Sequence, residues 1–138
     1  MAITSAVCTS FKQELAQEAH DFDNDTFKVA LYTSSATLSA ATTAYTTTNE
    51  VSGTGYTAGG ATIAATLTTG GTVAYIDFAN AAWTSSTITA RGALIYNSTN
   101  GNKAVAVIDF GSDYTTSNGT FTIVFPAAAA TTAIIRMN

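Results

Sequence analysis

Charged side chains are scarce in this chain of 138 residues, where they make up 10% of the sequence, against about 25% in typical soluble domains. Nine acidic and five basic residues leave a formal net charge of −4. The basic residues are scattered and form no patch that neutralises phosphates, so the sequence predicts no nucleic-acid binding. These basic residues are Lys12, Lys28, Arg91, Lys103 and Arg136.

Cysteine and long apolar runs are also nearly missing. Cys8 is the only cysteine, so the chain cannot form an internal disulfide. No apolar run approaches the roughly 18 residues that span a membrane, and the start lacks the basic and apolar regions of a secretion signal. We therefore expect no membrane partner and synthesis in the cytoplasm.

Residues that carry catalytic chemistry are few, because His20 is the only histidine and a hydrolytic triad needs a base beside its nucleophile. The position of His20 at the end of a predicted helix favours a surface residue or a charge–dipole contact. Cys8 lies on the apolar face of that helix with no cation nearby, which favours a buried structural thiol. Asp77 and Asp109 each precede a phenylalanine at a strand end, and we interpret them as turn caps rather than as a glycosidase pair. The sequence therefore predicts a protein that is not an enzyme, with no catalytic residues and no cofactor.

Two loops match ligand-binding motifs only in part. The run Asp21-Phe-Asp-Asn-Asp25 has the alternating carboxylates of a calcium loop, but Thr26 replaces the required glycine and Tyr32 replaces the closing glutamate. The glycine-rich residues 53–60 lack the lysine and hydroxyl residue of a phosphate-binding loop. We therefore predict no metal site, and we interpret these loops as a solvated turn and as an unusual backbone path.

Threonine and alanine are the abundant residues of this chain. Threonine is β-branched, so it favours strands and can present a hydroxyl to water while its methyl group packs on neighbours. A threonine-rich surface with few charges loses little free energy when it is desolvated, because hydroxyls find hydrogen-bond partners easily. This composition indicates a protein that works through contacts with other proteins.

The hydrophobic periodicity predicts one helix followed by many short strands. Over residues 4–20, Val7, Phe11 and Leu15 recur at helical spacing. The Asn-Gly sequence within residues 97–102 predicts a hairpin loop. This pattern indicates a single domain over residues 1–138 with an all-β fold, a β-sandwich or jelly-roll-like domain with one N-terminal α-helix. The predicted strands cover residues 27–32, 61–67, 73–78, 87–90, 93–96, 103–110, 120–125 and 132–137.

Five aromatic residues are candidates for an interaction surface, since tyrosine and tryptophan dominate the anchors of protein interfaces. Packing in the core explains their presence equally well, and the sequence leaves the two interpretations open. The candidates are Tyr45, Tyr56, Trp83, Tyr96 and Tyr114.

Three stretches of the chain resemble a family of small virion proteins of tailed bacteriophages. They cover residues 25–38, 48–60 and 89–97, and the most specific motif is Asn49-Glu-Val-Ser-Gly-Thr-Gly-Tyr56. The resemblance implies a particle protein without catalytic residues, found among decoration, fibre and tail components. It carries over no binding residue.

From these observations we predict a capsid decoration (cement) protein that stabilises the head shell, assembled in the host cytoplasm and located in the virion. The alternative is a tail or fibre component, including one that recognises a host glycan. Most predicted strands lack the charge or proline that protects an exposed edge, so a partner or long loops must cover them. We therefore expect association with copies of itself as a homotrimer and with virion proteins such as the major capsid protein.

Overall fold

A computed structural model describes residues 2–126, 128–129 and 131–137. Within them, strands are the main secondary structure and a single α-helix lies near the amino terminus. This confirms the predicted all-β, sandwich-like fold with one N-terminal helix. The elements are β1 (Ala6–Val7), α1 (Thr9–Ala16), β2 (Phe27–Tyr32), β3 (Ala61–Ile63), β4 (Ala65–Gly70), β5 (Val73–Phe78), β6 (Ala81–Ser86), β7 (Thr89–Asn97), β8 (Lys103–Thr115), β9 (Gly119–Ile123) and β10 (Ile135–Met137).

The strands form three antiparallel sheets. The largest has five strands in the order β1-β8-β7-β2-β3, and the others have the orders β10-β5-β4 and β6-β9. In the largest sheet, β2 and β7 are buried in nearly continuous runs instead of at alternate residues. Continuous burial means that both faces of this sheet are covered, which gives the protein its layered core.

One face of the five-stranded sheet packs on a cluster of aromatic rings. Phe22 stacks on Phe27 of β2 with ring centroids 4.6 Å apart, and Phe78 of β5 lies 6.1 Å from Phe27. Phe125 follows at 5.8 Å from Phe78. Rings at such distances contribute packing energy beyond their buried area, so this cluster joins the sheets and the amino-terminal segment.

The loop that contains the glycine-rich motif closes the edge of β2. Beyond the short pairing with β3, the Val51 amide donates to the carbonyl of Leu31 at 2.9 Å. The Leu31 amide in turn donates to the hydroxyl of Tyr56 at 2.9 Å. Gly60, at φ +77°, lies so close to β2 that an added Cβ would be 1.8 Å from the Val29 carbonyl oxygen. The unusual backbone path of this loop therefore covers a strand edge.

The helix is shorter than the predicted residues 4–20. Ala6 and Val7 pair with β8 instead, and the Cys8 amide donates to the Val105 carbonyl at 2.9 Å. Val7 therefore does not share a helical face with Phe11 and Leu15. The sheet edge accepts these residues because an unpaired strand leaves backbone groups that need partners. No helix in the described part of the chain is long and apolar enough to cross a membrane.

The strand predictions were accurate where the apolar pattern is strong. The predicted strands over residues 27–32 and 73–78 have the same bounds in the structure. The sequence analysis missed β6, because Ala-Ala-Trp-Thr-Ser-Ser has one large apolar residue and no clear alternation. The other six predicted strands had wrong bounds. Residues 61–67 form two strands, and residues 87–90 and 93–96 form the single strand β7. The strand predicted over residues 103–110 extends to Thr115, that over residues 120–125 is Gly119–Ile123, and residues 132–137 are strand only from Ile135.

Candidate interaction surface

A groove of about 820 Å³ runs along β9 on the side opposite β6. Its other wall is formed by β1 and by the second half of β8. On the side opposite β7, this half of β8 pairs with no strand of the described residues after the short pairing with β1. No strand in the described ranges pairs with the outer edge of β9. The groove therefore separates two strand edges whose backbone groups are not used by the sheets.

The groove is lined mainly by apolar side chains, with Ser5 and four threonines among them. Val124 is 72% exposed and Tyr114 is 53% exposed. Phe110 packs edge-on to Tyr114, with ring centroids 6.3 Å apart, and lies 5.9 Å from Phe121 on the floor. None of the residues that line the groove is charged. An exposed apolar surface bounded by open strand edges is the kind of surface that proteins use for association.

The net charge of the chain is concentrated in one segment of the sequence. Residues 12–25 contain five carboxylates and Lys12, which accounts for the whole net charge of −4, whereas four acids and four bases elsewhere cancel. Residues 51–76 and 114–135 contain no charged side chain at all. The acidic segment and the groove are therefore electrostatically distinct regions of the surface.

The bulge of β8 at the groove is held by a local ion pair. Arg91 donates from Nε to the Asp109 carboxylate at 3.1 Å, and the Gly111 amide donates to the same oxygen at 2.9 Å. The Gly111 amide, followed by Arg91, holds the pKa of Asp109 below its usual value. Asp77 lies in a different sheet, on β5. Neither residue lies at the predicted strand end, because Asp77 is within β5 and Asp109 is within β8, where it accepts a hydrogen bond from the bulge.

The predicted interface residues divide into packed residues and one exposed residue. Tyr96 is 2% exposed and stacks on Tyr45 at 4.6 Å. Trp83 is 6% exposed and lies 5.8 Å from the ring of Tyr56. Tyr114 alone of the five is exposed, at the rim of the groove. The interface assignment stays a prediction, and in this conformation Tyr114 is the member that a partner can reach.

The residue that organises two of these tyrosines is Glu50, which the sequence analysis did not single out. Its carboxylate accepts hydrogen bonds from the hydroxyls of Tyr45 and Tyr56, each at 2.7 Å, and from the Gly59 amide at 2.7 Å. Burial, followed by the bond to Glu50, raises the pKa of Tyr45 above its ordinary value. The available signal was that Glu50 is the only acid in residues 26–76 and lies inside the glycine-rich motif. These bonds hold the loop in place and provide the Glu50 carboxylate with three donors.

His20 is buried at 8% exposure, so the prediction of a surface or dipole-contacting residue was wrong. Its Nε2 lies 3.2 Å from the Glu14 carboxylate, and its Nδ1 lies 3.2 Å from Nδ2 of the fully buried Asn97. Asn97 also donates from Nδ2 to Asp25 at 2.7 Å. The chain ends its helix at Ala16, and His20 then turns inward because these partners satisfy both ring nitrogens. His20 therefore connects the amino-terminal segment to β7.

Cys8 is fully buried, as predicted for a structural thiol. Burial and the nearby Glu14 carboxylate raise the pKa of its thiol to about 11. A thiol with a raised pKa stays protonated at neutral pH and is a poor nucleophile. The position and protonation of Cys8 therefore favour packing over chemistry.

The acidic loop at residues 21–25 is held by its own hydrogen bonds. Asp21 accepts from the Asp23 amide at 3.0 Å and from Nδ2 of Asn24 at 2.8 Å. These bonds, that from the Asn24 side chain first, hold the pKa of Asp21 below its usual value. No group of histidine, cysteine and acidic side chains in the described residues is arranged to hold a metal ion. The geometry of this loop is that of a capped turn.

Comparisons with protein-family models, with curated proteins and with solved structures found no match to this chain. The functional argument therefore depends on the surface itself. Its two relevant features are the uncharged groove along β9 and the concentration of net charge in residues 12–25.

Proposed function

We propose that this protein is a non-enzymatic structural component of a tailed-bacteriophage virion, and specifically a capsid decoration protein that stabilises the head shell. The observation that carries the proposal is the uncharged groove between two strand edges. Soluble domains protect such edges with charge, proline or a covering segment. An uncovered edge beside an apolar groove suits a protein that functions within an assembly. The resemblance of residues 25–38, 48–60 and 89–97 to small phage virion proteins supports the phage assignment.

The side chains that could take part in catalysis make structural contacts instead. His20 is bound between Glu14 and Asn97, and Glu50 is bound by two tyrosines and a backbone amide. Cys8 is buried with a raised pKa. Each of these groups packs in the interior or makes an internal hydrogen bond, and these contacts account for its presence there.

The second candidate function is a tail or fibre component that recognises a host glycan. The observation that favours it is the exposed ring of Tyr114, which is followed by the hydroxyl residues Thr115 and Thr116 at the groove. Loops 33–48 and 53–60 could also present side chains to a glycan, but they are less available, because Tyr45 and Tyr56 are bonded to Glu50. Copy number separates the candidates: a number that matches the shell lattice indicates the head, and a much smaller number indicates the tail.

The test is to add the purified protein to heads that lack decoration. We expect saturable binding and increased resistance of the heads to heat and osmotic shock, because a ligand that binds only the assembled shell stabilises it by mass action. Heads that retain their native decoration are the control, since their sites are occupied. Absence of binding to undecorated mature heads would contradict the proposal.

A further inference from the structure

A hollow opens between the three-stranded sheet and residues 15–23, and it shares no lining residue with the groove along β9. Its volume is about 490 Å³, within the range of about 300–1,000 Å³ that is typical of ligand-binding clefts. Leu67 of β4 and Met137 of β10 line it from the sheet, and Leu15 and Phe22 line it from the amino-terminal side. Leu67 is 47% exposed and Met137 is 39% exposed. The hollow therefore presents apolar surface to solvent.

Three carboxylates line the same hollow. They belong to Glu18, Asp21 and Asp23, and all three residues are exposed. No lysine or arginine is among the lining residues, and the ring of His20 is buried there with both nitrogens already bonded. The two ion pairs of the described part of the chain involve other carboxylates. Within that part of the chain, no basic side chain neutralises these three negative charges.

Glu18 stands at a position where the turn favours another residue. It adopts φ +59° directly after the C-cap Gln17, and its amide donates to the Leu15 carbonyl at 3.3 Å. The Ala19 amide donates to the Glu14 carbonyl at 3.0 Å, which completes a Schellman turn whose left-handed position favours glycine. A carboxylate at the carboxyl end of a helix is also unfavourable, because the helix dipole is negative there. Turn formation therefore does not explain a glutamate at this position.

The combination of exposed apolar and acidic side chains selects the chemistry of an occupant. Lysine and arginine have methylene stems that pack on apolar surface and charged head groups that pair with carboxylates. An apolar side chain beside them packs on Leu67 and Met137, whose exposed surface is then removed from water. A bare metal ion is a poorer match, because no group of acidic, histidine and cysteine side chains in the described residues is arranged to hold one.

We propose that this hollow binds a basic, amphipathic segment of a partner protein, in which an apolar side chain lies between lysine or arginine residues. The carboxylates of Glu18, Asp21 and Asp23 attract the basic head groups, and the apolar side chain packs on Leu67 and Met137. A second copy of this chain is a poorer match, because the chain has a net charge of −4 and like charges repel. The inference goes beyond the proposed function and does not depend on the virion assignment.

The probe is a blocked peptide of sequence Arg-Leu-Arg-Leu-Arg, which is titrated into the full chain and followed through the amide signals of the protein by NMR. We expect saturable shifts at residues 15–23 and at Leu67, Ile76 and Met137. The peptide Arg-Gly-Arg-Gly-Arg lacks the apolar side chains and should bind at least about fivefold more weakly. The peptide Glu-Leu-Glu-Leu-Glu reverses the charge and should not bind. Equal binding of the arginine–glycine peptide, or shifts centred on the groove along β9, overturns the inference.

Substitutions in the protein test the same contacts. Glu18→Gln and Asp23→Asn remove a charge at nearly constant shape, and Leu67→Thr removes an exposed apolar side chain while it keeps a residue that favours strands. We expect each substitution to weaken binding of the arginine–leucine peptide by about three- to fivefold at low ionic strength. Asp113→Asn is the matched control, since it removes a carboxylate from an exposed position of β8 that does not line the hollow. Equal effects of Asp113→Asn and Glu18→Gln would show nonspecific attraction and overturn the inference.

Glu18→Gly separates binding from folding. Glycine adopts the left-handed conformation without the cost of a Cβ, so we expect a melting temperature at or above that of the wild-type chain and binding at least as weak as that of Glu18→Gln. Unchanged binding by this variant would show that the carboxylate serves no partner. Self-association of the wild-type chain that Leu67→Thr abolishes would identify a second copy as the occupant, against the inference. Binding to undecorated heads is measured separately and decides the proposed function on its own.

Discussion

At the scale of single residues, the motif Asn49-Glu-Val-Ser-Gly-Thr-Gly-Tyr56 has a structural explanation. Asn49, the first residue of the motif, adopts φ +61°. Glu50 accepts hydrogen bonds from two tyrosines, and the Tyr56 hydroxyl accepts one from the Leu31 amide. Each of these residues bonds within the chain, so the motif acts on the fold. A ligand is not needed to explain its composition.

Removing one hydroxyl tests this interpretation of the motif. Tyr56→Phe leaves the buried Leu31 amide without its acceptor and Glu50 without one donor. We expect the free energy of unfolding to fall by about 1–3 kcal/mol, measured by denaturant titration. Tyr75→Phe is the control, because the Tyr75 hydroxyl has no hydrogen bond among the described residues, and we expect a change within about 0.5 kcal/mol. Equal effects of the two substitutions would contradict the role of the Tyr56 hydroxyl.

At the scale of elements, two glycines in similar backbone conformations have different functions. Gly60 at φ +77° lies against β2, and Gly71 at φ +61° forms the turn between β4 and β5 with no atom within 4 Å of an added Cβ. Left-handed backbone favours glycine at both positions. Only Gly60 also permits the close approach of the loop to the strand.

The pair Gly60→Ala and Gly71→Ala separates backbone conformation from contact. We expect Gly71→Ala to cost about 1–2 kcal/mol, which is the cost of a left-handed conformation for a residue with a Cβ. Gly60→Ala adds a collision with the Val29 carbonyl oxygen, so we expect a clearly larger loss of thermal stability or a failure to fold. If the two melting temperatures fall by the same amount, the loop does not depend on the close approach.

At the scale of the whole molecule, polarity is divided between regions. The acidic residues 12–25 carry the net charge, the interior holds hydroxyl and thiol groups that stay protonated, and the groove and β4 are uncharged. This division keeps charged side chains out of the lining of the groove along β9. It also makes stability depend on the protonation of buried groups at high pH.

We predict that the protein loses stability in alkaline solution. The pKa of Cys8 is raised from 9.0 to about 11, and burial raises the pKa of Tyr96 from 10.0 to about 12. The unfolded chain therefore releases these protons first, so their contribution is complete below pH 9 and is lost as the pH rises toward 11 and 12. Denaturant titrations between pH 8 and pH 12 measure the decline, and Cys8→Ala should remove the part that begins near pH 9. Stability that is constant across this range would show that the folded chain does not hold these protons.

The sequence by itself determined the class of the fold and the strands with strong alternation, because β-branched and apolar periodicity is a local property of the chain. β2 and β5 followed from that pattern with their observed bounds. Tertiary structure decided the rest. Ala6 and Val7 pair with the edge of β8 and are strand instead of the predicted helix. His20 is buried because Glu14 and Asn97 provide partners for its ring nitrogens. The groove forms because β8 and β9 belong to different sheets and face each other with no strand of the described residues between them. Such contacts join residues far apart in sequence, so no local pattern encodes them.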